Sequence, residues 1–254
     1  MKNIPAVEGR TSTQLFLQAA EQWSDNIRWQ NPSDHGWEAI TWGTYKLKVS
    51  QVAAYLQGQG YSYPDKIGIL ATNSLEWIYS ALGVMSSTAI LVPIYAGNTI
   101  EQSLFMIKHS DMQVLILDSA DMANRLIAGG LESTSLRLLV LLQGDPKDCE
   151  TALMVHGYEE LSIEGAALLA RTPGLIEDLA KIPRLNDIAY MIYTSGTTGD
   201  PKGVPLSHQN LAASTKDWLT VNGSLIPENV VDIHWLPNSH IYGWGAIGLG
   251  NLFG

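Results

Sequence analysis

The sequence predicts an α/β domain in which parallel strands alternate with helices. Three apolar segments of strand length, at residues 66–71, 89–94 and 114–118, are separated by stretches with helical periodicity. The connections between them are short, and such repetition is typical of a parallel sheet covered by helices. A hydrophobic content of 46% against 16% charged residues, over 254 residues, supports a folded chain with a substantial core.

The first 60 residues predict helical and hairpin elements that precede this alternation. Apolar spacing predicts a helix over 14–23, and turn residues at 31–36 separate two short strands at 27–30 and 37–42. An amphipathic helix follows over 44–59. Its predicted inner face carries Tyr45, Val49, Val52, Ala53 and Leu56.

Within the alternating region, residues 74–85 and 99–110 are the predicted helices. Asn73 is the candidate cap of the first, and Asn98 or Thr99 that of the second.

Two later strands are predicted, at 136–142 and 188–193. Between them, residues 144–184 show only weak helical periodicity, at 163–171 and 175–182.

Charge and cysteine content exclude several classes of protein. The formal net charge of −10 disfavours non-specific binding to nucleic acid or to an anionic membrane. No apolar run approaches the ~20 residues of a membrane span, and residues 1–14 lack the apolar core of a signal peptide. Because Cys149 is the sole cysteine, neither an intrachain disulfide nor a cysteine-based metal cluster can form. We therefore expect a cytoplasmic protein.

The segment YTSGTTGDPKGV, residues 193–204, carries the chemistry. It follows a predicted buried strand and offers hydroxyls, successive backbone N–H groups and glycines that let the chain approach an anion. Lys202 adds a charge suited to a terminal phosphate. Because glycines lie on both sides of Lys202, we expect packing to leave its position free.

Other phosphate motifs do not fit this segment. It matches neither the Walker A pattern nor the GxGxxG fingerprint of dinucleotide-binding domains. A flexible Gly/Thr/Ser linker is the structural alternative, but a linker does not usually emerge from a buried strand with a Pro-Lys-Gly sequence.

The same segment, followed by Ser207-His208, resembles the signature loop of the acyl-adenylate-forming superfamily. That superfamily includes acyl-CoA synthetases, luciferase-like enzymes, fatty-acid–carrier-protein ligases and adenylation domains of peptide synthetases. Residues 42–60 and 65–93 resemble its early helix and its first strand–helix–strand unit. The implied fold is the N-terminal portion of the large domain of an adenylate-forming enzyme.

The resemblance implies that ATP and Mg²⁺ activate a carboxylic acid as an acyl-adenylate. A thiol, from coenzyme A or a phosphopantetheine-carrying acyl carrier protein, then displaces AMP. It places Thr194 at the metal and phosphates, and Lys202 at the same phosphates. The residues implied to wrap the β- and γ-phosphates are Ser195, Gly196, Thr197, Thr198 and Gly199.

A second segment, WLPNSHIYGW at residues 235–244, resembles the family's landmark beside the acyl and adenylate pockets. His240 is the matching histidine and the second catalytic candidate. We expect Trp235, Tyr242 and Trp244 to be core aromatics, and His208 to be structural. The residues of this segment most resemble those of long-chain fatty acyl-CoA synthetases. The next most similar class is the fatty-acid–carrier-protein ligases.

Later landmarks of the family are not found in the sequence: a Tyr-Gly-x-Thr-Glu segment, a ribose-binding aspartate, and a C-terminal lid with its lysine. We therefore expect residues 1–254 to be a truncated, partial adenylation domain that is inactive by itself. The alternative is a non-catalytic nucleotide-binding or interaction fragment on the same scaffold. We also expect the apolar tail, residues 245–254, to expose core surface and promote self-association.

Overall fold

The computed structural model describes residues 7, 9–194, 201–226 and 230–253. The helices are α1 Ser12–Gln22, α2 Trp42–Gly58, α3 Leu75–Ser86, α4 Ile100–Ser110, α5 Ala120–Ala128, α6 Tyr158–Arg171, α7 Leu175–Leu179, α8 His208–Asn222 and α9 Ile241–Gly250. The strands are β1 Ile27–Ser33, β2 Gly36–Thr41, β3 Lys66–Leu70, β4 Ile90–Ile94, β5 Val114–Leu117, β6 Leu138–Leu141, β7 Met154–Gly157, β8 Ile188–Thr194 and β9 Lys202–Ser207.

Seven of these strands form one sheet in the order β7-β6-β5-β3-β4-β8-β9. Every neighbouring pair is parallel except β8 and β9, which are antiparallel. The predicted parallel α/β layer is confirmed, and the structure places β3 between β4 and β5.

The sheet carries a hydrophobic core on each face, because alternate residues of a strand point to opposite sides. On β3, Ile67 and Ile69 pack with α1, α2, α3 and α6. On β4, Val92 and Ile94 pack with α4 and α5. The predicted inner face of α2 is buried as expected.

The β1–β2 hairpin forms as predicted and lies outside the main sheet. Its Arg28 guanidinium stacks 3.9 Å from the Trp29 ring centroid and donates hydrogen bonds to Asn251 Oδ1 and the Ile247 carbonyl oxygen. Burial lowers the pKa of Arg28 to about 10, so it stays charged at neutral pH. This cation at the carboxyl end of α9 is favourably placed for the helix dipole and ties the hairpin to that helix.

Two local predictions need correction. Ser74, not Asn73, caps α3, because its hydroxyl accepts from Trp77 N–H at 3.0 Å. The weakly patterned region after residue 144 contains the parallel edge strand β7 and a full α6. An edge strand of four residues, with an exposed Met154, has too little apolar alternation for its sequence to reveal it.

The apolar tail is packed, contrary to expectation. Trp244 of α9 lies against Trp77 and Tyr190, with ring centroids 6.0 and 6.1 Å apart, and Ile247 and Leu252 are buried. Trp244 is thus a core aromatic as predicted, whereas Trp235 and Tyr242 are 75% and 73% exposed.

Exposed apolar surface lies instead on an extended stretch before α9. Val231, Ile233 and Trp235 are 84%, 80% and 75% exposed, and we call these three residues the apolar strip. Within the described parts of the chain, no helix is long and apolar enough to cross a bilayer.

Gly165 is required where α6 crosses α2. A Cβ at this position would lie 2.0 Å from the carbonyl oxygen of Gln51, a backbone atom that only a shift of the helices could move. We expect Gly165→Ala to lower the free energy of unfolding by about 1–3 kcal/mol, measured by urea denaturation followed by circular dichroism. Gly245→Ala, on α9, is the matched control, since nothing lies within 4 Å of its Cβ. It should leave stability equal or raise it by up to about 1 kcal/mol. Equal effects of the two substitutions would contradict this account of the crossing.

The apolar strip should drive whatever self-association the chain shows. We expect Ile233→Ser combined with Trp235→Ser to lower the concentration-dependent increase in sedimentation coefficient, because exposed apolar patches promote association. Ile163→Ser removes an apolar side chain that is 62% exposed on α6 and should have little effect. If the α6 substitution acted as strongly as the pair, the apolar strip would not be the responsible surface.

Candidate functional site

The order of the strands opens a crevice at one edge of the sheet. The chain leaves β3 through α3 on one face and leaves β4 through α4 on the other. In open α/β sheets, ligands bind at such a reversal, outside the carboxyl ends of the strands.

A cavity of about 300 Å³ lies at this edge. Its walls come from the ends of β4 and β8, the start of α4 and the turn before α9. The lining residues are Pro93, Tyr95, Asn98, Gln102, Met106, Ile192, Tyr193, Thr194, Pro201, Pro237, Ser239 and His240.

The described ends of the phosphate loop are held by a strand pair. Thr194 is the last residue of β8 and lies opposite Lys202, the first residue of β9. The side chains of both are exposed, and Thr194 lines the cavity together with Pro201. The expectation that Lys202 is positionally free is therefore wrong for its backbone. The other loop residues predicted to bind phosphate lie outside the described residues: Ser195, Gly196, Thr197, Thr198 and Gly199.

A side-chain pair that the sequence did not reveal ties this loop to α4. The Tyr193 hydroxyl is 2.8 Å from His109 Nδ1 and donates to the Met106 carbonyl oxygen at 3.5 Å. Burial raises the pKa of Tyr193, so its hydroxyl is protonated at neutral pH. Residues 109 and 193 are far apart in sequence, and no local pattern could have paired them.

His240 lies on the opposite wall of the cavity. It is the N-cap of α9, and its Nδ1 accepts a hydrogen bond from Tyr242 N–H at 3.3 Å. Its ring stacks on the exposed Tyr242, with centroids 5.5 Å apart. The structure thus brings Thr194 and His240 to one cavity, whereas Lys202 is not among its lining residues.

Asn73, which the sequence suggested as a helix cap, holds the turn that precedes His240. Its Nδ2 donates to the Leu236 carbonyl oxygen at 2.8 Å, and its Oδ1 accepts from Asn238 N–H at 2.9 Å. Asn238 is buried, and its own Oδ1 lies 2.6 Å from His234 Nε2. Polar side chains from distant parts of the sequence therefore shape this wall.

His208 is structural in its surroundings. It is 3% exposed at the start of α8, and its backbone N–H donates to the Asp187 carbonyl oxygen. Burial lowers the pKa of His208, an effect that nearby Asp187 partly offsets. A neutral, enclosed imidazole supports the structural assignment made from the sequence.

The oxygen atoms of the cavity lining can be compared with the ligands that a magnesium ion requires. Magnesium requires near-octahedral oxygen ligands, usually including a carboxylate. Thr194 and Ser239 offer hydroxyl oxygens, but none of the described lining residues is Asp or Glu. The described lining of this cavity therefore does not by itself form a magnesium site, and we derive no chemical step through the ion.

Curated relatives that are similar to this chain are fatty-acid ligases. A long-chain-fatty-acid–[acyl-carrier-protein] ligase of Arabidopsis thaliana, described as chloroplastic, is 27% identical over 92% of this chain and 33% of its own length. Long-chain-fatty-acid–CoA ligase 5 of Rattus norvegicus is 32% identical over 79% of this chain and 30% of its own length. The chain thus spans about a third of the length of these relatives.

Solved structures show the same fold at low sequence identity. A long-chain-fatty-acid–CoA ligase from Archaeoglobus fulgidus superposes with a TM-score of 0.75 at 18% identity, over 98% of this chain and 46% of that chain. A fatty acyl-adenylate ligase from L. pneumophila, in complex with acyl adenylate and pyrophosphate, gives a TM-score of 0.73 at 19% identity. The match covers 99% of this chain and 40% of that chain. The chain therefore corresponds to part of the architecture of these enzymes, as the signature loop predicted.

The model of the AMP-binding enzyme family matches residues 16–253, which include both walls of the cavity. This protein belongs to the AMP-binding enzyme family of adenylate-forming ligases.

Proposed function

We propose that the chain provides the phosphate-binding loop and one acyl-side wall of an ATP-dependent acid–thiol ligase. In this reaction a carboxylate oxygen attacks the α-phosphorus of ATP, and pyrophosphate leaves. The thiol sulfur then attacks the acyl carbon of the adenylate, the thiol proton is lost to solvent, and AMP leaves.

The observation that carries this proposal is the meeting of Thr194 and His240 in one cavity. The two residues belong to different motifs and lie more than forty positions apart in sequence, yet they line the same cavity. A phosphate-binding motif facing an acyl-site motif is the arrangement that adenylation of a carboxylate needs.

The exposed side chains at the loop ends have roles that follow from their chemistry. The Thr194 hydroxyl donates to a phosphate oxygen, and the Lys202 ammonium offsets charge on the terminal phosphates. Adenylyl transfer depends mainly on alignment and charge stabilisation, so such groups act without forming bonds to substrate. His240 bounds the acyl side of the cavity.

We infer that the acid is a long-chain fatty acid and that the thiol is that of coenzyme A or of an acyl carrier protein. The relatives are named for both acceptors. Met106, Ile192 and Pro93 give the cavity an apolar lining suited to an acyl chain. The complete enzyme would use ATP with magnesium, and we expect it to act in the cytoplasm.

A second candidate function is nucleotide binding without catalysis. Two observations favour it for this chain by itself: the described cavity lining contains no carboxylate, and the chain spans about a third of its relatives. Fatty-acid-dependent exchange of pyrophosphate into ATP distinguishes the two, because binding alone cannot support exchange.

The proposal predicts binding of a non-hydrolysable fatty acyl-adenylate analogue, such as an acyl sulfamate, measured by isothermal titration calorimetry. Thr194→Val and His240→Ala should each weaken binding about tenfold, since each removes a polar group that lines the cavity. Thr151→Val removes a hydroxyl that bonds Glu132 outside the cavity and should leave affinity unchanged. If the unmodified chain bound neither the analogue nor ATP, the proposed function would be wrong.

Lys202 should discriminate between nucleotides by their phosphates. Lys202→Ala is expected to weaken ATP binding about tenfold and AMP binding by less than twofold, because the ammonium contacts only terminal phosphates. Lys147→Ala makes the same change in net charge, at an exposed site before β7, and corrects for the long-range field. An equal loss for AMP and ATP, or an equal loss in both variants, would contradict the phosphate-contact role.

A further inference from the structure

The turn that carries His240 is attached to the start of α3 by one side chain. Asn73 lies between the end of β3 and the cap of α3, at the edge where the cavity opens. Its Nδ2 donates to the Leu236 carbonyl oxygen at 2.8 Å, and its Oδ1 accepts from Asn238 N–H at 2.9 Å. The side chain thus imitates a short strand pairing between two segments that belong to no common sheet.

The rest of the turn depends on the same contact. Asn238, whose backbone N–H is bound by Asn73, has a side chain that is 1% exposed. The ring of His234, bonded to that side chain at 2.6 Å, packs edge-on against Trp29 with centroids 6.5 Å apart. Movement of the turn would therefore disrupt a buried amide and an aromatic contact as well.

The His240 ring has little to fix it, since its hydrogen bond and ring contact are with Tyr242, which follows it in α9 and is itself exposed. The His240 backbone is held more firmly: its N–H donates to the Pro237 carbonyl oxygen of the turn at 3.0 Å, and its carbonyl oxygen accepts from Trp244 N–H in α9 at 3.0 Å. Its position over the cavity is therefore set by the turn that precedes it, together with the packed helix α9 that it begins. Thr194, on the facing wall, is fixed independently by the β8–β9 pairing.

We propose that Asn73 is the positioning residue that holds His240 against the cavity and so sets the distance between its acyl and phosphate walls. This inference rests on the proposed function for its consequence in ligand binding. The structural part of it concerns the ligand-free chain and stands or falls separately.

The chain offers a matched control on the far side of the sheet. Asn124 of α5 makes the same two-bond bridge to a loop: its Nδ2 donates to the Asp148 carbonyl oxygen at 2.8 Å, and its Oδ1 accepts from Glu150 N–H at 2.9 Å. Asn73→Ala and Asn124→Ala therefore remove equivalent bonds, of which only the first pair lies beside the cavity.

The test in the ligand-free chain uses hydrogen exchange of the backbone amides of residues 238–244 and the NMR signal of the His240 ring. We expect Asn73→Ala to speed exchange about tenfold and to shift and broaden that signal, while Asn124→Ala changes neither. Asn73→Asp keeps the acceptor for Asn238 N–H but loses the donor, so its exchange rates should fall between those of the unmodified chain and Asn73→Ala. Unchanged His240 behaviour in Asn73→Ala, or equal changes in the Asn124 variant, would overturn the proposal.

A binding experiment extends the test to the site. Asn73→Ala should weaken the fatty acyl-adenylate analogue about tenfold and ATP by less than threefold, because the phosphate loop is held by β8 and β9. Equal weakening of both ligands would contradict a role specific to the His240 wall. If the unmodified chain binds neither ligand, the proposed function fails, while the exchange and NMR results still decide the role of Asn73. If Asn73→Ala does not fold, as judged by circular dichroism, Asn73→Ser replaces it in the same measurements, and Asn124→Ser then serves as the control, with the same outcomes deciding.

Discussion

The reversal of the chain around β3 is the constraint on which the site depends. Because β4 and β5 lie on opposite sides of β3, the helices that follow β3 and β4 must cover opposite faces of the sheet. Their starts diverge at the carboxyl edge, and backbone groups there cannot all be covered by the helices. The cavity lies at the same edge, between the end of β4, the start of α4, the end of β8 and the turn before α9.

Those two walls are held by different kinds of interaction. The ends of the phosphate loop are held by backbone pairing of β8 with β9, which leaves side chains such as Lys202 available to a ligand. The turn carrying His240 is held by the Asn73 amide and by the packing of Trp244 on Trp77 and Tyr190 behind it. Arg28 binds the carboxyl end of α9, the helix that follows this turn. A ladder of backbone bonds is robust to single substitutions, whereas a turn held by a few side chains is more sensitive to one.

The chain carries a net charge of −10, yet the described lining of the cavity contains no acidic residue. An acidic protein repels polyanions at long range, yet salt screens that field within ~8 Å at physiological ionic strength. At the cavity, no described lining residue is acidic, and Thr194 and Ser239 contribute hydroxyl groups to the lining. The net charge that disfavours non-specific binding to nucleic acid thus places no restriction on binding of a nucleotide.

The sequence by itself determined the parallel α/β layer, the helix and strand order up to β5, the strands β6 and β8, and the two motifs of the site, whereas the helix α5 between β5 and β6 was not predicted. These features are local: strand-length apolar runs, 3.6-residue periodicity, and a glycine- and hydroxyl-rich loop before Lys202 can be recognised without knowing what packs against them. The short edge strand β7 and the strand β9, which begins inside the signature loop, have no such local signal.

Only the tertiary structure decided where these parts meet. Asn73 has a side chain suited to a helix cap, but Ser74 caps α3 instead. The Asn73 amide hydrogen-bonds to the turn before α9. Trp244 is buried and Trp235 exposed within one aromatic segment, because the helix beginning at Ile241 turns only the former toward the sheet. Hydrogen bonds and packing contacts between residues so far apart in sequence depend on the chain topology. A local sequence pattern does not determine that topology.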